Sequence, residues 1–340
     1  MDAFSGYHQV PLKNEDQEKT TFITEQGLYC YTFMPFCLKN APTTFQRLVN
    51  TVFTNQIGRN MEAYIDDMIV KSKEPNDHVA DLRETFSTLR QHNMKLNPKK
   101  CVFGVPSGKF LGFLIDQRGI EANPDKVQAV LDMSSPRTVK EVQRLTGCLA
   151  ALGRFLSKSG DKCHYFFEAI RKKKAEFEWT QEAEDAFLRL KTHLHSLPRL
   201  VSPKVGEELY MYLSISQYAV SAVLLAEREL VQYPVYFVSH KLRDAELRYP
   251  TVQKFGLALY MASQKLRPYF AAHRIVVYTD QPLKQPFTKL DISGRMLKWA
   301  IALNEFDISY EPRMAIKGQA FADFIAEMTR PEYPVRENQV

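Results

Sequence analysis

The sequence lacks any run of roughly 18 consecutive apolar residues, so no membrane-spanning helix is expected. Its first residues, Met1-Asp2-Ala3-Phe4, lack the basic segment and apolar core of a secretory signal. Cysteine is scarce: the five residues Cys30, Cys37, Cys101, Cys148 and Cys163 form no C-x-x-C pair and are odd in number. That argues against a zinc site or a disulfide framework and for scattered thiols in a reducing compartment. Repeats and low-complexity stretches are absent. Neither sign of charge dominates: 45 Lys+Arg against 39 Asp+Glu leave +6. Such a balance permits a polyanionic partner without demanding one. What is there is ordinary for a folded protein, with 45% hydrophobic and 25% charged residues. A length of 340 residues suggests two or three domains.

Three stretches follow one another. The first, to about Gln117, mixes strands and helices. Leu28 to Met34, rich in Tyr and Phe, predicts a strand, and Pro35 to Pro42 a loop. Phe45, Leu48, Val49, Val52 and Phe53 recur at helical spacing, with Asn40 as a cap and Pro42 in the first turn. Ala63 to Val70 has the pattern of a hairpin with Asp66-Asp67 near its tip. Val79, Leu82, Phe86 and Leu89 predict a second amphipathic helix, and Phe110 to Ile115 a strand. The second stretch is helical. Asn123-Pro124 opens one helix, Thr138 with Glu141 forms a capping box for the next, and Thr180 opens another. A basic run, Arg171-Lys172-Lys173-Lys174, lies between them. The third stretch has three candidate strands, Leu209–Leu213, Ala219–Leu225 and Tyr233–Val238. Then come a helix near 250–267, a strand at Ile275–Thr279, a helix near 293–304, a strand at Phe306–Tyr310 and a helix near 319–328. Residues 329–340 are expected to be a loose polar tail.

The first sign of chemistry is Tyr64-Ile65-Asp66-Asp67. Two adjacent carboxylates on a tight hairpin can face one space, where their repulsion favours a divalent cation. For an isolated pair the ordinary alternative is a solvated turn, since Asp favours turns. Asp2 is the natural third acid. Three carboxylates could hold two magnesium ions, which activate a 3′-hydroxyl and grip a triphosphate during in-line attack.

These residues do not stand alone. Asp2-Ala3-Phe4-Ser5-Gly6-Tyr7-His8-Gln9, Met34 through Gln46, Tyr64-Ile65-Asp66-Asp67, Lys95-Leu96-Asn97-Pro98-Lys99-Lys100-Cys101 and Phe110-Leu111-Gly112-Phe113 occur in that order. The ordered set resembles the reverse transcriptases of gypsy-class long-terminal-repeat retrotransposons, particularly those of plants. The resemblance runs on to about residue 328. It implies a partial right-hand polymerase: an α+β palm over 1–118, a helical thumb and linker over 119–204, and an α/β ribonuclease H-like connection domain over 205–328.

The resemblance also assigns roles. Asp2, Asp66 and Asp67 look like the catalytic, metal-binding carboxylates for Mg2+ or Mn2+. Tyr7 looks like the gate whose ring excludes a ribose 2′-hydroxyl, and a core aromatic is the plain alternative. Phe36, Cys37 and Lys100 fall in the nucleotide pocket. Gln46, Leu111 and Gly112 fall on the primer and template side. Lys158, Lys162 and Arg171 to Lys174 are candidate phosphate contacts of the thumb, or a solvated helix face. His164, His193 and His195 read as surface or packing residues. The implied partners are a primed RNA or DNA template, deoxynucleoside triphosphates and the rest of a polyprotein, with no membrane. The implied setting is the cytoplasm, in a virus-like particle, or the nucleus.

Two departures stand out. The chain starts at the family's first catalytic motif, without the fingers segment that closes over the triphosphate. Cys37 also stands where the family has Gly, the residue that best tolerates positive φ. In the third stretch the family's four nuclease acids fall at Ser214, Phe255, Asp280 and Asp323. Two carboxylates are too few for two metals. The expectation is therefore an RNA-directed DNA polymerase by descent, with an inactive ribonuclease H-like domain. The rivals are a dead remnant that at most binds nucleic acid, and an intact ribonuclease H that Ser214 and Phe255 argue against.

Overall fold

A computed structural model describes residues 1–157, 159–171, 177–283 and 294–312. The chain divides into two compact units, Met1–Gln117 and Arg118–Val340. Among the described residues no helix is long and apolar enough to cross a membrane.

In the first unit, strands β1 (Phe22–Thr24) and β2 (Gly27–Tyr29) form a short hairpin. The strand expected over Leu28–Met34 ends at Tyr29. Beyond it the chain makes only a bridge between Pro11 and Phe33, and a proline partner offers no N–H to extend a ladder. Helix α1 spans Ala41–Val52 with Pro42 in its first turn; Asn40 stands at the cap but makes no side-chain cap bond. Phe45 and Val49 are wholly buried on its inner face, packed with Ala3, Phe53, Met61, Met68 and Leu89. Each such fully buried side chain contributes roughly 1.5–3 kcal/mol of apolar burial. Strands β3 (Met61–Tyr64) and β4 (Asp67–Val70) make the expected hairpin. Helix α2 (His78–Gln91) buries Leu89, while Val79 is exposed in the first turn rather than inward as its spacing implies. The strand expected over Phe110–Ile115 is instead a hairpin of β5 (Ser107–Phe110) and β6 (Phe113–Asp116). Leu111 and Gly112 between them both take positive φ, 51° and 76°, the pattern of a type I′ turn.

The second unit holds two cores. The helical one is built by α3 (Pro124–Leu131), α4 (Val139–Leu152), α5 (His164–Arg171) and α6 (Gln181–Leu194), after a short strand β7 (Gly119–Ala122). Asn123, Thr138 and Thr180 cap three of these helices, each accepting a backbone N–H of the first turn. The box at Thr138 is half closed, because the Glu141 carboxylate accepts the N–H of Arg137. Val142, Leu145, Leu149, Leu152, Phe166, Phe187, Leu190 and Leu194 fill this core. Lys162 donates to the Ser157 hydroxyl. Lys158 and Lys172 to Lys174 lie outside the described residues, as does the side chain of Arg171. His164 stacks face to face on Tyr218, a packing role.

The other core backs a five-stranded sheet. Strands β8 (Leu209–Ile215), β9 (Ala219–Arg228) and β10 (Val231–Lys241) form an antiparallel meander. Strand β11 (Ile275–Tyr278) joins β8 in parallel, and β12 (Ile308–Glu311) joins β11, giving the order β10-β9-β8-β11-β12. Helices α7 (Thr251–Lys265) and α8 (Arg295–Leu303) bury Phe255, Leu257, Leu259, Ala262, Trp299 and Leu303 in this core. The register of the edge strand β10 shifts between Pro234 and Tyr236, a β-bulge. There Val201 donates to the Pro234 carbonyl and Phe237 donates to the Arg154 carbonyl. The helix expected near 319–328 and the tail lie outside the described residues.

Candidate active site and its comparison with known proteins

The ladder brings the three aspartates of the first unit together. Asp2 bridges Asp67 across antiparallel backbone. Ala3 donates to the Asp66 carbonyl at 3.2 Å, and Met68 donates to the Met1 carbonyl at 2.9 Å. From the other side, Asn97 donates to the Asp2 carbonyl and Phe4 to that of Lys95, both at 2.9 Å. Asp2 thus lies between the Asp66-Asp67 hairpin and the Lys95–Asn97 segment.

Asp66 occupies the hairpin turn. Its neighbour Ile65 sits at φ 52°. Positive φ at the first central residue and not the second is the type II′ pattern, which favours Gly there. A β-branched residue in this region is strained by roughly 1–2 kcal/mol. The Asp66 Oδ1 atom is buried without a hydrogen-bond partner. Burial first, then the charges of Asp2 and Asp67, push the Asp66 carboxyl above its usual range, against an opposing pull from Lys100. Lys100 Nζ lies 3.6 Å from Asp2 Oδ2 on a largely exposed side chain. Among the described residues, no group of three His, Cys, Asp or Glu side chains is drawn tightly enough to form a ready-made metal cluster.

Two of the residues expected in the nucleotide pocket, Tyr7 and Phe36, pack together. The Tyr7 ring lies 5.4 Å from Phe36 and 5.7 Å from Phe45. Its hydroxyl pKa is raised by burial and then by the charge of Asp66. Phe36 is half exposed and Cys37 is exposed. Cys37 takes φ 74°, a left-handed conformation that glycine reaches without strain. Leu111 and Gly112 form the tip of the β5–β6 hairpin, with Leu111 exposed. Gln46, expected on the primer and template side, turns its carboxamide to the hairpin backbone. Its Oε1 accepts the Ile65 N–H at 2.6 Å, and its Nε2 donates to the Ala63 carbonyl at 3.3 Å.

Three further residues escaped the sequence reading. A Cβ on Gly6 would come within 2.4 Å of Asp66 Oδ1 and 2.8 Å of the Phe45 ring, so only glycine fits there. His8 packs edge-on against Phe36 at 4.8 Å. Gln9 donates to the Phe4 and Lys95 carbonyls and accepts the Lys95 N–H, lacing the Asp2 segment to its neighbour. Gly6 carried a signal, as a lone glycine between Ser5 and Tyr7. Gln9 carried none.

In the second unit the four positions that the resemblance sets against nuclease acids lie in different surroundings. Ser214 is buried on β8 opposite Ser221, whose hydroxyl pairs with that of Ser239 at 2.9 Å. Phe255 is buried in the sheet's core. Asp280 is exposed just past β11; continuing the Tyr278–Tyr212 register brings it level with Ser214. Asp323 lies outside the described residues.

A palm whose hairpin tip carries an acid pair beside a third aspartate, followed by a helical stretch and a five-stranded mixed sheet, defines a reverse transcriptase-class polymerase with a ribonuclease H-like domain. Residues 1–115 match the family "Reverse transcriptase (RNA-dependent DNA polymerase)", and residues 179–277 match "RNase H-like domain found in reverse transcriptase". Among similar proteins is the retrovirus-related Pol polyprotein from transposon opus of Drosophila melanogaster, 30% identical over 92% of this chain and 32% of the relative. That from transposon 412 of the same organism is 28% identical over 98% of this chain and 27% of the relative. The Tf2-3 polyprotein of Schizosaccharomyces pombe is 26% identical over 93% of this chain and 24% of the relative. The chain therefore spans about a third or less of the curated relatives it matches. In fold it is similar to a foamy viral protease-reverse transcriptase solved with an RNA/DNA hybrid, at TM-score 0.82 and 20% identity, covering 100% of this chain and 46% of that one. The chain belongs to the reverse transcriptase and ribonuclease H-like region of retrotransposon Pol polyproteins.

Proposed function

We propose that the first unit performs RNA-directed DNA synthesis at Asp2, Asp66 and Asp67, and that the second unit is a non-cleaving ribonuclease H relative. The observation that carries the first part is Asp66, whose Oδ1 is buried without a partner and whose carboxyl is raised by burial and by the charges of Asp2 and Asp67. An acceptor left so, with its charge disfavoured, fits a hard cation held by oxygen ligands. Mg2+ commonly takes one or two carboxylates and completes its shell with water and substrate phosphate, so three clustered ligands are not required beforehand. When bound, the cation supplies Lewis acidity to the 3′-hydroxyl and charge neutralisation to the triphosphate. Asp2 and Asp66 hold it, and Asp67 braces the hairpin and adds charge. Tyr7 presents its ring where a deoxyribose would lie and excludes a 2′-hydroxyl. Lys100 meets the triphosphate, with Phe36 and Cys37 shaping the pocket. Leu111 and Gly112 carry the primer end on their exposed turn. The RNA/DNA hybrid and dsDNA named for the foamy viral structures support a primed template as the partner here.

Single-nucleotide incorporation on a primed RNA template, followed to long times with Mg2+ or Mn2+, tests this reading. Incorporation by the chain that vanishes in Asp66→Asn supports it. Incorporation equal in both sinks the assignment, and template binding with no incorporation in either favours the remnant that only binds nucleic acid.

A further inference from the structure

We infer that Gln46 is a positioning residue: its carboxamide fixes the Ile65 turn, and so Asp66, and thereby sets how tightly the aspartate site holds a divalent cation. The inference rests on reading Asp2, Asp66 and Asp67 as that site.

The turn needs an outside support. In a two-residue hairpin loop the first central N–H has no acceptor on the opposite strand. Here Ile65 supplies that N–H, and Gln46 Oε1 accepts it at 2.6 Å. The other end of the same carboxamide donates to the Ala63 carbonyl at 3.3 Å and to Asn50 Oδ1 at 2.8 Å. One side chain therefore grips a donor and an acceptor on successive parts of the hairpin, much as a strand would. Its own position is fixed, because the adjacent Phe45 is wholly buried in α1. A strained conformation persists only where its surroundings over-determine it, and Ile65 at φ 52° is such a case.

Asp66 is clamped from the opposite side as well. The missing side chain of Gly6 leaves the space that Asp66 Oδ1 fills. With the Gln46 support removed, Ile65 can relax to negative φ. Its peptide plane then rotates, and the Asp66 carboxylate swings away from Asp2 and Asp67. Gln46 touches neither substrate nor cation in this account. It acts through the backbone of the turn.

The test uses the full 340-residue chain. Gln46→Met keeps length and bulk while deleting both hydrogen-bonding ends. Mn2+ binding is measured by electron paramagnetic resonance, the Ile65 amide by hydrogen exchange, and the unfolding midpoint by heat. Asp66→Asn and Val49→Ala are the comparators, the latter weakening α1 through its core face alone. Outer-shell partners of metal ligands typically govern affinity by about 10–100-fold, so Gln46→Met is expected to weaken Mn2+ binding about tenfold and to speed exchange at Ile65. Val49→Ala is expected to lower the midpoint at least as far while leaving Mn2+ affinity unchanged. If Gln46→Met binds Mn2+ as the parent does while Asp66→Asn does not, the positioning role is wrong and the site stands. If Val49→Ala weakens Mn2+ as much as Gln46→Met, Gln46 is merely structural and the inference falls. If Asp66→Asn leaves Mn2+ binding unchanged, the underlying site is wrong.

Discussion

Asp66 and Phe255 both stand where the proposed reading sets the carboxylate of a two-metal site, and their surroundings are opposite. Asp66 is kept at a strained turn, half-buried, against the repulsion of two neighbouring acids. Phe255 has been absorbed into the sheet's apolar core beside Leu257 and Leu259. The first arrangement lowers stability for the sake of a charged site. The second gives up a charged site for packing. Both units keep their folds, so the fold by itself does not tell a retained site from a lost one.

The largest expected effect is on the retained side. Asp66→Asn removes a cation ligand worth several kcal/mol to the transition state, so incorporation should fall by about a thousandfold. Loss of less than tenfold would mean that the acids of the first unit are no more functional than Asp280 of the second.

Next comes the reverse experiment. Phe255→Glu places a carboxylate in an apolar core and should destabilise the second unit by about 3–5 kcal/mol, read from denaturant unfolding. Combined with Ser214→Asp it should not restore cleavage of an RNA–DNA hybrid. A stable double variant that cuts hybrid, and loses that cutting on Asp280→Asn, would show that the second site needed only its acids back.

A pH titration sharpens the contrast further. The Asp66 carboxyl is raised chiefly by burial, then by Asp2 and Asp67. The folded state therefore holds this proton more tightly than the unfolded chain does. Stability from it is full below the ordinary carboxylate range and is lost as pH rises through the raised value. Asp66→Asn should accordingly be the more stable form at neutral pH, with the gap closing in acid. A gap that widens in acid would contradict the burial of Asp66.

The smallest effect concerns Cys37. At φ 74° it bears a cost that Gly would not, so Cys37→Gly should raise stability by about 0.5–1 kcal/mol in urea unfolding. A loss of stability would mean that the thiol makes a contact worth more than the strain.

Much of the fold was legible in the sequence because local signals agreed with it. Asn123, Thr138 and Thr180 marked helix starts, and alternation at Leu209, Met211 and Leu213 marked the central strand. The β5–β6 hairpin was hidden from the local pattern, and only the resemblance pointed to a hairpin there, because its turn is Leu111-Gly112 and leucine is not a turn residue. The clustering of Asp2 with Asp66 and Asp67 could be expected only from an ordered set of motifs, because those residues lie far apart in the chain. The work of Gln46 and Gln9 could not be read at all. The partners by which these two glutamines hold the site are backbone atoms, and backbone carries no sequence signature.

The bulged edge of the second unit has a practical consequence. An eleven-residue outer strand with free N–H and C=O groups would recruit a copy of itself. Pro234 withholds a donor, the bulge twists the edge, and residues 154 and 201 occupy two of its remaining groups. Both of those caps precede residue 205. A ribonuclease H-like fragment cut to begin there would bare the edge and self-associate, whereas one begun ahead of Arg154 would stay dispersed.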